Sequence, residues 1–169
     1  MPRSASQKNN PKSKEEIRPY RLYLRRTHMK RSPLNSRSPK GALIAKCEAL
    51  CKQILLIMHG ARCRFCGETY DLTLFHIMPK SIYPEIRLLF LNLLISCMEC
   101  HRIWEDHLPG HVEIERQIID IIGTVDYESH ILGQRAALPK VSMYHLHEAH
   151  EGLKRQLRAL QRERSSKRL

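Results

Sequence analysis

From Gly41 onward, apolar residues recur every three or four positions: Leu43, Ile44, Cys47, Leu50, Cys51, Ile54, Leu55 and Met58. That spacing predicts an amphipathic helix, with Gly60 as its C-terminal stop. Two shorter apolar runs, Leu72 to Ile77 and Leu91 to Ser96, read as strands. The segment between them carries Pro79 and Pro84 and reads as a loop. A helix is expected through Cys100, His101, Ile103 and Trp104, ended by Pro109-Gly110. His111 to Ile122 is again amphipathic and stops at Gly123, and Asp126 to Leu132 reads as a helical turn. A long helix from about Ser142 to Arg164 places Leu146, Ala149, Leu153, Leu157 and Leu160 on one side and basic residues on the other. Short strands beside several helices indicate an α+β class.

The first forty residues lack this periodicity. They are rich in Arg, Lys, Ser, Pro and Asn, and Pro11, Ser32-Pro33 and Ser38-Pro39 interrupt any long helix. The expected organisation is a disordered basic arm over 1–40, a central domain over 41–138 and a C-terminal basic helix over 139–169. Within the arm, Ile17 to Arg26 is able to become a short helix on a partner.

Charge sharpens this division. The chain has a formal net charge of +12, yet residues 1–40 hold 12 Lys/Arg against 2 Glu, and residues 150–169 hold 7 against 2. The middle holds 10 Lys/Arg against 13 Asp/Glu. Basic ends on a near-neutral body point to a polyanion, most often nucleic acid. No apolar run reaches transmembrane length, and no secretory h-region is expected at the N-terminus. A membrane partner is therefore not expected, and a reducing cytoplasm is.

Four of the six cysteines stand in two knuckles, Cys63-x2-Cys66 and Cys97-x2-Cys100. Such a pair is a strong signature of a tetrahedral structural Zn²⁺ site, because each two-residue gap turns both sulfurs toward one ion. Cys47 and Cys51, four apart on one helix face, read as small buried packing residues rather than ligands. Trp104 reads as core.

A strand, a loop, a strand and a helix framed by two knuckles match the ββα-metal architecture of HNH nucleases. The span from Leu72 to His107 resembles an HNH endonuclease, and more closely the phage recombination nucleases of the NinG/Rap type. The matching residues are Cys63-x2-Cys66, Leu74-Phe75-His76-Ile77-x-Pro79-Lys80, Tyr83-Pro84, Arg87, Asn92, Cys97-x2-Cys100-His101 and Trp104. The resemblance implies a ββα-metal (HNH) core with a structural zinc clip, flanked by helices. It implies His76 as the catalytic base and Asn92 as the residue that braces the loop and orients it. It also implies His101 as a ligand to a catalytic Mg²⁺ or Mn²⁺, with Asp106 and His107 as further candidates. Many HNH nucleases carry an Asp or His ligand just before the base; here that position is Phe75, which cannot coordinate.

The expected activity is metal-dependent hydrolysis of DNA phosphodiesters. The resemblance implies phage origin, a host-cytoplasmic location, branched, duplex or recombination-intermediate DNA as partner, and a homodimer for symmetric cutting. Lys80, Arg87, Arg25, Arg26, Lys154, Arg155 and Arg158 are the candidate DNA contacts. The alternative is a catalytically inactive zinc module on an HNH scaffold that binds nucleic acid or a protein assembly.

Overall fold

The computed structural model describes residues 38–124, 127 and 141–167. Helix α1 spans Pro39–His59. The Ser38-Pro39 step, expected to break a helix, starts this one. The Ser38 hydroxyl accepts from the Gly41 amide at 3.0 Å, and proline at the first helical position is already set at helical φ. The helix stops at Gly60, where φ is 85° and a side chain would be strained.

Helix α1 buries Leu43, Ile44, Cys47, Cys51, Ile54 and Leu55. These meet Leu146, Leu153 and Leu157 of the C-terminal helix, which spans Met143–Ser166 and is capped by the Ser142 hydroxyl. Cys47 and Cys51 are fully buried here, as expected of packing residues, and burial pushes the Cys51 thiol up to about 12. Leu146 has no exposed surface. Leu146→Ala is therefore expected to cost about 2–5 kcal/mol in urea unfolding, the range for a buried leucine whose site does not collapse.

Strand β1 (Leu72–His76) pairs antiparallel with β2 (Leu93–Cys97), with His76 opposite Leu93 and Leu72 opposite Cys97. The second strand starts two residues later than the apolar run predicts. Phe90–Asn92 instead form a 3-10 turn, preceded by another at Pro84–Ile86. Leu93 and Ile95 join the α1–C-terminal-helix core, which seats the two-stranded sheet on that helical pair. Helix α2 (Met98–Glu105) follows β2 directly, and α3 (His111–Ile122) follows a turn through Gly110 at φ 100°. Counted in chain order, the C-terminal helix is α4. The class is α+β, with the order β1, β2, α2 expected of the HNH core.

Residues 1–37, with Arg25 and Arg26, lie outside the described residues, as does the expected turn at 126–132 apart from Tyr127. Among the described residues, no helix is long and apolar enough to cross a membrane.

Candidate active site and metal clip

The first knuckle is a tight turn. The Cys63 amide donates to Glu68 O at 2.6 Å and the Gly67 amide to Cys63 O at 3.1 Å, with Gly67 at φ 80°. The Arg64 amide ties the turn to Ile95 O of β2 at 2.9 Å. The second knuckle begins on the last residue of β2, where Cys97 caps α2 and its sulfur accepts from the Cys100 amide at 3.5 Å. Strand end and helix start thus present Cys97 and Cys100 to the first turn.

The four sulfurs all lie within 4.8 Å of one another, and those of Cys66 and Cys97 are 3.7 Å apart. A tetrahedron of Zn–S bonds about 2.3 Å long has edges of about 3.8 Å. None of the four is in a disulfide. Burial alone would raise the Cys63 thiol, but backbone amides of Cys66, Cys97 and Phe65 bring it down to about 7. Burial and the neighbouring sulfurs push Cys100 up. Four crowded sulfurs cannot all be thiolates without a cation among them, and a divalent ion removes that conflict. The donor set fits a metal ion and is compatible with zinc.

His76 ends β1 and is 7% exposed. Its Nε2 lies 3.1 Å from Arg87 O. A carbonyl only accepts, so Nε2 carries the proton and Nδ1 the lone pair. Burial, then the nearby Lys80 charge, lowers the ring to about 4, so it is neutral at physiological pH.

Asn92 is fully buried and ties the loop that follows β1. Its Oδ1 accepts from the Met78 amide at 2.7 Å, and its Nδ2 donates to Met78 O and Ile86 O at 3.3 Å each. Trp104 is core, as expected, with its indole N–H on Ile77 O at 3.1 Å. Asn92→Ala strands the Met78 N–H and the Met78 carbonyl in a buried setting, while Ile86 O keeps the Leu89 amide at 3.0 Å. It is expected to cost about 2–4 kcal/mol by denaturant unfolding.

Phe75 has no exposed surface. Its ring is packed against Phe65, His101 and Trp104 at centroid distances of 5.1, 5.4 and 6.0 Å. It is a core side chain that fixes the helix carrying His101. His101 Nε2 sits 3.0 Å from Glu105 Oε1, and its Nδ1 is buried with no hydrogen-bond partner among the described residues. Asp106 caps the C-terminus of α2 and is exposed. His107, at φ 51°, turns toward His111, which stacks on Trp104. Among the described residues, only the four cysteines gather as a group of three or more metal donors. The structure does not assemble His101, Asp106 and His107 into such a group.

The candidate DNA contacts separate. Lys80 is 48% exposed. Arg155 and Arg158 are exposed on α4, and Lys154 is paired with Glu151 at 3.0 Å. Arg87 differs from expectation: its side chain is 7% exposed and faces inward. The cause is Glu48 on α1, whose Oε1 accepts from Arg87 Nε at 3.1 Å and Nη2 at 2.9 Å. The same carboxylate reaches Lys80 at 3.5 Å and lies 3.7 Å from His76 Nε2. Helical periodicity marks Glu48 only as a polar position, so nothing in its spacing singles it out.

The model of the HNH endonuclease family matches residues 63–106. No curated protein and no solved structure matches the chain. The HNH span holds both knuckles, both strands, α2, His76 and Asn92. The match supports a nuclease-type function and implies a nucleic-acid substrate. HNH enzymes hydrolyse phosphodiester bonds with the help of a divalent metal. Glu48 and the α1–α4 pair lie outside the HNH span and form the support on which it sits.

Proposed function

We propose that the protein is a metal-dependent DNA endonuclease. The observation that carries this reading is His76: a neutral, desolvated imidazole at the strand end, oriented by a backbone carbonyl, inside a loop braced by Asn92. Nδ1 of His76 takes a proton from the attacking water as its oxygen bonds to phosphorus. The bond from phosphorus to the 3′-oxygen breaks, and the departing oxygen takes a proton from solvent water, leaving a 5′-phosphate and a 3′-hydroxyl. His101 and Glu105 offer an imidazole and a carboxylate to Mg²⁺ or Mn²⁺, with Asp106 and His107 close in sequence. Magnesium commonly uses one or two protein donors and completes its shell with water and phosphate oxygens. When bound, such an ion supplies positive charge for the phosphate and the leaving oxygen. The cysteine clip holds Zn²⁺ and is structural.

Exposed Lys80, Arg155 and Arg158, together with the basic residues of 1–40 that include Arg25 and Arg26, track backbone phosphates without reading sequence. The resemblance to NinG/Rap-type nucleases supports phage origin, branched DNA as substrate and a homodimer for paired cuts. Purified protein incubated with duplex, single-stranded and four-way-junction DNA, with Mg²⁺, Mn²⁺ or EDTA, tests this. Metal-dependent cutting, strongest on the junction, is expected.

Phe75 favours a second reading. A fully buried aromatic at the position where many HNH enzymes hold a metal ligand is also what a non-catalytic zinc module would carry. Binding without cutting in every condition of the same assay would select it.

A further inference from the structure

Arg87 is held at both ends. Its carbonyl accepts the Nε2–H of His76, and its guanidinium is gripped by Glu48 from a different element, α1. The guanidinium is almost wholly buried, and Glu48 is its ion-pair partner among the described residues. A buried guanidinium without an anion is strongly disfavoured, so the grip decides where this stretch of chain lies. Asn92 holds the preceding residue through Ile86 O, which leaves the Arg87 peptide framed by two side chains. Glu48 also acts directly. Its Oε1 lies 3.7 Å from His76 Nε2, and a negative charge on that side favours the ring proton on Nε2 over Nδ1. The carboxylate already faces two cations, Arg87 and Lys80, which marks it as a structural counter-charge rather than a metal ligand.

We propose that Glu48 is a positioning residue for the base: by gripping Arg87 it fixes the Arg87 carbonyl, and through that carbonyl the Nε2–H tautomer of His76. The consequence for rate rests on the nuclease reading; the tautomer itself does not. Glu48 lies outside the HNH span, so the helical support reaches into the chemistry through this one side chain.

The test reads the tautomer directly, from long-range proton–nitrogen NMR spectra of the full chain at neutral pH. In the unaltered protein His76 shows a single Nε2–H form; an Nδ1–H form overturns the proposal without any variant. In Glu48→Gln the two ring nitrogens converge toward a tautomer mixture. With junction DNA and Mg²⁺, kcat falls about 10- to 100-fold, the usual effect of removing an orienting partner, and KM stays within about twofold. A single Nε2–H form in Glu48→Gln, or a loss expressed only in KM, overturns it. If Glu48→Gln does not fold, Glu48→Leu combined with Arg87→Met decides, since it removes both buried charges together. A mixed tautomer there supports the proposal, and a single Nε2–H form overturns it. A protein that cuts no DNA yet loses its tautomer in the variant keeps the positioning role and removes the nuclease reading.

Discussion

His76→Ala is expected to lower DNA cleavage by about 10²–10⁴-fold, the contribution of a positioned base, while leaving DNA affinity within about twofold. The imidazole is buried against the Arg87 carbonyl, and on the proposed reading it takes a proton rather than holding phosphate, so its loss removes proton transfer and not contact. The same residue sets the pH profile. Burial, with Lys80 adding to it, lowers His76 to about 4, whereas in the unfolded chain it titrates near about 6.5. Between these values the unfolded chain binds a proton that the folded protein refuses. The stability contributed by the neutral ring is therefore complete above about pH 6.5 and is lost as pH falls toward 4. The lone pair persists over the same range, so the acid limb of kcat/KM should lie near pH 4 and not near neutrality. Full cleavage by clean His76→Ala protein would remove His76 from the mechanism.

Loss of the clip metal is expected to give the largest fall in stability. The clip joins elements that cannot stand alone: a two-stranded sheet, an eight-residue helix and a turn tied to β2 by the Arg64 amide. An isolated hairpin is marginal in water, and metal-binding free energy in such a site is folding free energy. Cys97→Ser, or treatment with a strong zinc chelator, should lower Tm by at least about 10 °C. Part of the helical circular dichroism should survive, because the α1–α4 contacts through Cys47, Leu146, Leu153 and Leu157 do not involve the clip. The check is calorimetry alongside metal analysis of the same samples. A metal-free protein with an unchanged Tm would show that the four cysteines are ordinary thiols.

Periodicity and chemistry were sufficient for much of this site. The α1 and α4 stripes, the stop at Gly123, the knuckle spacing and the histidine at the strand end are all local signals, and each lies where that spacing predicts. The errors are equally local in origin. Ser38-Pro39 was ambiguous because the same dipeptide that interrupts a helix also starts one. Leu91 and Asn92 read as strand because their run continues into the apolar residues of β2, yet they belong to the 3-10 turn Phe90–Asn92, where the Asn92 side chain is spent on Met78 and Ile86. Arg87 resembled a phosphate contact because charge in a loop is usually solvated, and only the facing carboxylate on α1 turns it inward.

What the sequence determined by itself is whatever depends on neighbours a few residues apart: helix faces, caps, the two metal knuckles and the basic ends. Spacing along the chain is enough for these, because a helical turn or a C-x2-C gap brings its own residues together. The tertiary structure alone decided that Phe75 is core, that Arg87 is buried, and that Glu48, 28 residues before His76, lies beside it. Those outcomes depend on how α1 meets the loop between the strands. Burying a charge is tolerable only where a distant segment supplies its partner, and no periodicity encodes which segment that will be.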